Sequence, residues 1–137
     1  YAYLTNLEDQ SQEMSINVTY TYLVDGTEQT LRSASVKYPV ETGGIAIAYK
    51  SDGSIQTMQR MKSVKLTELS GSWAMASNQR YAIADDVQVY LRKNGSYYLT
   101  ALSAVNAEDY TLTGWYNNSS SSAGRQIRII IATALES

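Results

Sequence analysis

The sequence predicts an all-β fold, and three observations support that prediction. Apolar and polar residues alternate with a period of two along most of the chain, which is the pattern of half-buried strands. β-Branched and aromatic residues, which strands favour, dominate these runs. Asp25-Gly26, Asp52-Gly53 and Asn94-Gly95 separate successive runs and tolerate the positive φ that tight hairpins need. We therefore predict a small barrel or sandwich of about nine to eleven short, mostly antiparallel strands.

The predicted strands follow these runs along the chain. They cover residues 1–7, 14–24, 28–38, 44–50, 55–61, 64–69, 81–84, 86–92, 96–100, 110–117 and 125–133. In the second run the even positions from Met14 to Val24 are apolar or aromatic and are predicted to face inward. Pro39 is expected to end the third run. Leu102–Ala107 is predicted to form a helical turn, and the stretch 70–79 is ambiguous.

Several side chains have a predicted orientation. Tyr20, Tyr22, Tyr49 and Tyr110 are in phase with apolar neighbours and are predicted to face inward. Tyr90 has the opposite phase to the apolar residues around it and is predicted to face outward. The last strand is rich in isoleucine, and we expect Arg125 and Arg128 to protect it as an edge strand.

The chain has 137 residues, a length that fits one domain. We predict a single β domain over residues 1–137, with a possible subdivision near 71–79 into two packed β subdomains. Asn117–Gly124 is low in complexity and is predicted to be a surface loop.

Composition excludes several kinds of chemistry. The chain has no His and no Cys, which removes Ser–His and Cys–His catalysis, disulfides and zinc–thiolate sites. The net charge of −2 argues against a nucleic-acid partner. No apolar stretch approaches the roughly 18–20 residues of a membrane span. Asp85-Asp86 is predicted to lie in a turn or bulge, and Glu108-Asp109 in a connection. We therefore predict no enzymatic activity, no cofactor and no metal site.

The aromatic residues of the C-terminal half are the candidate ligand-binding residues. Exposed rings on a β face commonly bind glycans by stacking. The candidates are Trp73, Tyr90, Tyr97, Tyr98, Trp115 and Tyr116. Because the chain has no Phe, its tyrosines and tryptophans must also fill the core. Trp115 and Tyr116 are expected to point to opposite faces of one strand, so at most one of them lines a given surface.

The same half resembles a known group of proteins. Residues 81–100 read YAIADDVQVYLRKNGSYYLT, residues 110–116 read YTLTGWY, and residues 124–132 read GRQIRIIIA. These segments resemble non-catalytic β modules of Gram-positive cell-surface proteins, of the kind often joined to S-layer homology domains. Those modules have a strand of the form dDvxVY, a glycine-turn hairpin and a last strand similar to GGRIRVIVA. Ala123 stands here in place of the first of those glycines, and the resemblance covers about 50 residues.

The resemblance implies a structural or interaction module of a secreted, cell-wall-associated bacterial surface protein. It implies an extracellular location at the cell surface or cell wall. The partner would be a cell-wall polymer, a glycan or another surface protein. These residues contain no S-layer homology segment, so the anchoring function of such segments is not carried over. The alternative function is a carbohydrate-binding module that stacks sugars on exposed tyrosine or tryptophan rings.

Overall fold

The alternating runs form strands almost throughout the computed structural model, which describes residues 1–77, 79–117 and 126–135. Within these ranges there are twelve strands and one short 3₁₀ turn, so the all-β prediction is confirmed. The strands form two sheets. The chain divides into an N-terminal unit, Tyr1–Met61, and a C-terminal unit, Lys62–Ser137. This division falls earlier in the chain than the 71–79 stretch that the sequence suggested.

The N-terminal unit is a five-stranded antiparallel sheet in the order β3-β2-β1-β4-β5. Its strands are β1 (Ala2–Asp9), β2 (Val18–Val24), β3 (Thr27–Ser33), β4 (Gly43–Tyr49) and β5 (Ile55–Arg60). Asp25 and Gly26 form the turn between β2 and β3 with φ angles of 49° and 84°. Positive φ at both central residues is typical of the two-residue hairpin turn, so the predicted Asp25-Gly26 hairpin is confirmed.

The core of this unit uses the predicted face of β2. Val18, Tyr20 and Tyr22 are buried and pack with residues of β1, β4 and β5. The inward orientation predicted for Tyr49 is wrong, because this residue is 55% exposed. The β4–β5 register shifts between Ala48 and Tyr49, and such an irregularity breaks the alternation of faces.

The predicted strand 14–24 is too long at its start. β2 begins at Val18, and Met14 is 95% exposed. The preceding residues form a tight reversal, in which Gln12 and Ser15 exchange backbone hydrogen bonds of 2.9 and 3.0 Å. The inward orientation predicted for Met14 is therefore wrong, since local turn pairing replaces the strand there.

The C-terminal unit is a mixed sheet in the order β6-β11-β12-β9-β8-β7, with β10 also paired to β9. Its strands are β6 (Lys62–Leu66), β7 (Glu68–Leu69), β8 (Trp73–Ala76), β9 (Gln79–Lys93), β10 (Ser96–Thr100), β11 (Tyr110–Tyr116) and β12 (Ile127–Ala134). The β9–β12 pair is parallel, and the other described pairs are antiparallel. A 3₁₀ turn at Leu102–Ala104 occupies the beginning of the predicted helical turn.

The two strands predicted at 81–84 and 86–92 are one strand, β9. Asp85 and Asp86 lie within it and are exposed. The pairing of β9 with β12 jumps from Ile83 opposite Ile127 to Gln88 opposite Ile129. The acidic pair thus lies at an irregularity of the ladder rather than in a turn, which is the bulge alternative of the prediction.

The prediction that the last strand is an edge strand is wrong. β12 lies between β9 and β11, and Ile127 and the run Ile129–Ala132 are buried. Consecutive buried apolar residues are typical of a strand in the interior of a parallel arrangement. Arg128 forms an ion pair with Asp86, with 3.3 Å between Nη1 and Oδ1, instead of protecting an edge. Gly124, Arg125 and nearly all of the predicted loop Asn117–Gly124 lie outside the described residues.

The core of the C-terminal unit combines residues of several of its strands. Val89, Leu112, Ile130 and Ala132 are among its buried residues. Gly114 of β11 comes close to neighbouring side chains, since a Cβ atom there would lie 3.0 Å from Cδ1 of Ile127 and 3.2 Å from both Cδ atoms of Leu66. The absence of a side chain at this position allows the neighbouring strands' residues to fill the space.

Candidate functional site

The hairpin of β9 and β10 contains three of the candidate aromatic residues. Asn94 and Gly95 form its turn with φ angles of 52° and 80°, so the predicted Asn94-Gly95 hairpin is confirmed. Ser96 is opposite Lys93, and the pairing continues in register to Thr100 opposite Val89. In the described sheet β10 is bonded to β9 alone, so its other side is a sheet edge. We call this strand, Ser96–Thr100, the β10 edge.

The side chains of the β10 edge are large and exposed on both faces. Tyr98 is 54% exposed and Leu99 is 53% exposed. Tyr97 is half-buried, and the guanidinium carbon of Arg92 lies 5.8 Å from the centroid of its ring. This distance is within the range of a cation–π interaction. Because residues alternate between faces, Tyr97 and Leu99 share one face and Tyr98 lies on the other.

The β10 edge differs in charge from the other sheet edges that the structure describes. β3 contains Glu28 and Arg32, β5 contains Arg60, β6 contains Lys62 and Lys65, and β7 contains Glu68. β10 contains no charged residue. Charged residues on an edge strand hinder its pairing with another chain, so the β10 edge lacks a protection that the other edges have.

The register also indicates which backbone groups of β10 face outward. In a two-residue hairpin the residues that flank the turn exchange both backbone hydrogen bonds, and this pattern then alternates along the strands. Ser96, Tyr98 and Thr100 therefore bond to β9. The N–H and C=O groups of Tyr97 and Leu99 point away from β9.

Tyr90 does not belong to an exposed surface. It is fully buried, so its predicted outward orientation is wrong. Its hydroxyl donates a hydrogen bond of 2.6 Å to Oε1 of Gln88, which is itself buried. β9 is a strand, as the alternation predicted, but residues on both of its faces are buried: Val89 on one face, and Gln88 and Tyr90 on the other. Burial on both faces is typical of interior strands.

The remaining candidate rings take part in packing on separate strands. Trp73 on β8 is half-buried, and the guanidinium carbon of Arg80 lies 4.7 Å from its ring centroid. Tyr116 packs against the core and lies 5.1 Å from Tyr81, centroid to centroid. Trp115 is also half-buried. Of the six candidates, Tyr98 is the ring with more than half of its surface exposed, and the six do not form one exposed platform.

One residue of each of the acidic pairs Asp85-Asp86 and Glu108-Asp109 has a structural partner. Asp86 pairs with Arg128 as described above. The backbone N–H of Asp109 donates to Oδ1 of Asn106 at 2.7 Å, and Nδ2 of Asn106 donates to Oδ2 of Asp109 at 3.1 Å. These bonds close the turn that precedes β11. Asp86 is exposed and pairs with the mostly buried side chain of Arg128, whereas the bonds between Asn106 and Asp109 are exposed.

The carboxylates with lowered pKa values lie in the N-terminal unit. The Lys37 ammonium, together with the hydroxyl and backbone N–H of Ser11, holds the pKa of Asp9 well below its usual range. Hydrogen bonds from the hydroxyl and backbone N–H of Ser54 lower the pKa of Asp52. Asp9 and Asp52 each accept hydrogen bonds that close a local turn.

An open groove of about 500 Å³ lies beside the 3₁₀ turn. It is lined by Leu69, Ser70, Gly71, Leu102, Ser103 and Val105. Apolar side chains and two serines line it, so it offers no charged group. Within residues 1–77, 79–117 and 126–135, no group of three or more Asp or Glu side chains is placed to hold a metal ion.

The described part of the chain contains no helix long and apolar enough to cross a membrane. Comparison with known proteins gave no match to a family model, a curated protein or a solved structure. The candidate site is therefore defined by the geometry of the β10 edge alone.

Proposed function

We propose that this chain is a non-catalytic interaction module of a secreted, cell-wall-associated bacterial surface protein, and that it binds through the β10 edge. The observation that supports this proposal is the exposed and uncharged strand Ser96–Thr100. An exposed sheet edge can accept an additional strand, and neighbouring side chains add apolar contact. The β10 edge is bonded to β9 on one side only in the described sheet, and Tyr98 and Leu99 are exposed there.

A role without turnover agrees with how the acidic side chains are used. Asp86 pairs with Arg128, and Asp109 closes a turn with Asn106. A glycosidase needs two carboxyl groups at a defined separation across a cleft, whereas these residues have exposed structural roles. The cell-wall location is supported by the resemblance of residues 81–100, 110–116 and 124–132 to surface modules.

Binding to isolated cell walls tests this proposal. The purified chain at low concentration should be retained by Gram-positive cell walls, and Tyr98→Lys should reduce that retention because it places a charge on the edge. Thr30→Lys is the matched control, since Thr30 is an exposed residue of the edge strand β3. Equal retention of the wild type and Tyr98→Lys would contradict binding through β10, and no retention of any variant would contradict the cell-wall role.

Glycan stacking is a second candidate because the ring of Tyr98 is more than half exposed. Tyr98→Leu separates the two functions. Stacking on a sugar requires the aromatic ring, whereas strand pairing needs an apolar side chain and free backbone groups. Loss of binding in Tyr98→Leu on a glycan array would favour the carbohydrate-binding function, and unchanged retention on cell walls would favour strand pairing.

A further inference from the structure

We propose that Met14 is an oxidant-reactive site of this chain, at which hydrogen peroxide converts the thioether into a sulfoxide while the N-terminal unit stays folded. The inference goes beyond the proposed function, because Met14 belongs to the N-terminal unit and the β10 edge to the C-terminal unit. Three features support it: the exposure of the Met14 side chain, the hydrogen bonds of the turn around it and the burial of other methionines.

Met14 is the most exposed of the four methionines in the sequence. Its exposed fraction is 95%, whereas Met58 is 1% exposed and Met61 is 4% exposed. Met75, which lies on β8, is half-buried. The chain has no Cys, so methionine provides all of its sulfur atoms. A dissolved oxidant therefore has easier access to the sulfur of Met14 than to the others.

The turn that contains Met14 is held by backbone hydrogen bonds between the residues on its two sides. Gln12 and Ser15 exchange two bonds of 2.9 and 3.0 Å, and the backbone N–H of Gln10 donates to the carbonyl oxygen of Asn17 at 2.8 Å. These bonds join main-chain atoms, so they do not depend on the chemical state of the Met14 side chain. A change of polarity at this side chain therefore leaves the bonds of the turn in place.

The reaction requires only the thioether and the peroxide. A lone pair of the Met14 sulfur attacks one oxygen of hydrogen peroxide, and the S–O bond forms as the O–O bond breaks. The departing hydroxide takes the proton of the transferred hydroxyl group, which leaves a sulfoxide and one molecule of water. Sulfur loses two electrons and the peroxide gains them.

The sulfoxide is tolerated at position 14 because its oxygen accepts hydrogen bonds from water there. Met58, in contrast, belongs to the buried cluster of the N-terminal unit, where an additional polar oxygen without a partner is destabilising. The same burial hinders the access of peroxide, since Met58 meets solvent only when the structure opens locally. Oxidation is therefore directed to a methionine whose modification preserves the packing.

The modification changes the tip of the turn from apolar to polar, and it is reversible. Methionine sulfoxide reductases return the sulfoxide to the thioether. An enzyme of that class, supplied with a thiol reductant, is therefore the kind of reaction that consumes this product. Each cycle of oxidation and reduction at Met14 removes one molecule of peroxide.

Limited oxidation of the folded full chain tests the proposal. The protein is treated with increasing hydrogen peroxide at neutral pH, and peptide mass spectrometry locates the added oxygen. Met14 should react first, at least about tenfold faster than Met58 or Met61. Met14→Leu keeps an apolar side chain without sulfur and should abolish this first product, whereas the matched control Met75→Leu should retain it. Oxygen found first at another methionine, or an unchanged rate of oxygen uptake in Met14→Leu, would overturn the proposal.

The same oxidation in a denaturing concentration of urea tests whether the fold causes the selectivity. All four methionines are accessible in the unfolded chain, so their rates should become similar, within about threefold. If Met14 reacts about tenfold faster in urea as well, its neighbours in the sequence cause the selectivity, and the structural explanation is overturned.

Thermal unfolding of the singly oxidised chain tests the tolerance of the fold. Its midpoint should lie within about 3 °C of that of the untreated chain, as for other changes at exposed positions. Treatment with a methionine sulfoxide reductase should restore the original mass. A larger fall of the midpoint, absent from Met14→Leu after the same peroxide treatment, would contradict oxidation of Met14 in a chain that stays folded.

Discussion

The hydroxyl oxygen of Tyr20 accepts a hydrogen bond of 2.9 Å from the backbone N–H of Tyr38. Tyr20 is fully buried on β2, and its ring centroid lies 5.7 Å from that of Tyr38. Tyr38 follows β3 in the chain, so this bond fastens the segment after β3 to the core. In a chain without Phe, tyrosine supplies the buried rings, and each buried hydroxyl then needs a polar partner. The abundance of tyrosine is therefore explained in part by packing.

Replacing Tyr20 by Phe tests the energetic importance of this bond. Tyr20→Phe keeps the ring but leaves the part-buried N–H of Tyr38 without its acceptor. We expect the free energy of unfolding of the N-terminal unit to fall by about 1–2 kcal/mol. Hydrogen exchange of the β2 amides measures this change. Tyr49→Phe is the matched control: Tyr49 is 55% exposed, and its replacement should change stability by less than about 0.5 kcal/mol.

Gly114 provides a test of packing in the C-terminal unit. A Cβ atom there would lie 3.0 Å from Ile127 and 3.2 Å from Leu66, so Gly114→Val overfills the core. We expect a loss of about 1–3 kcal/mol in the free energy of unfolding. Urea denaturation followed by tryptophan fluorescence measures it, since both tryptophans, Trp73 and Trp115, belong to this unit.

Gly71→Val is the matched control for this substitution. A Cβ atom at Gly71 has no other atom within 4 Å, so the added methyl groups find open space there. A similar loss of stability in both variants would show that valine is unfavourable in itself, and the close approach of Leu66 and Ile127 to Gly114 would not be the cause.

Periodicity predicted which face of a strand is buried better than it predicted the neighbours of that strand. The alternation from Val18 to Tyr22 and the two hairpin turns at Asp25-Gly26 and Asn94-Gly95 are local, and all are found in the structure. The position of β12 between β9 and β11 depends on residues far apart in the chain. A short apolar run has the same sequence pattern in an interior strand as in a protected edge strand, so the role predicted for Arg128 was wrong.

The candidate site was predicted only in part for the same reason. Tyr97 and Tyr98 were identified by their side chains, but the edge position of β10 was not. Its signal was present in the sequence: Ser96–Thr100 is a predicted strand without charge. Tyr90 was assigned to the surface because its phase is opposite to that of Val89. Alternation assigns the residues of a strand to two opposite faces, but it does not show that either face is exposed to solvent.

Gly95 tests the turn that positions the β10 edge. Its φ angle is 80°, and a Cβ atom there would meet no atom within 4 Å. The cost of Gly95→Ala is therefore conformational, and we expect it to lower the free energy of unfolding by about 1 kcal/mol. Urea denaturation followed by tryptophan fluorescence measures the change. Gly71→Ala serves as the control, because it adds the same methyl group without a positive φ; an equal effect in both would contradict this explanation.

Asp9 makes the stability of the N-terminal unit depend on pH in the acid range. Lys37 and Ser11 lower the pKa of Asp9 in the folded chain below its ordinary value of 3.8. The charged carboxylate therefore stabilises the folded state fully above about pH 5, and this contribution is lost as the pH falls toward the folded-state pKa. Because the chain has no His, we expect little change between about pH 6 and 8.

Thermal unfolding at a series of pH values, followed by hydrogen exchange in β1 and β2, checks this dependence. Asp9→Asn should lower the midpoint near neutral pH and flatten its decline in acid, since the variant has no carboxylate to protonate. Lys37→Ala removes the largest cause of the lowered pKa and should flatten the decline in the same way. Glu41→Gln is the control, because the ion pair of Glu41 with Arg60 is exposed at both side chains and such pairs contribute little. If Asp9→Asn keeps the full acid decline of the wild type, other carboxylates cause it.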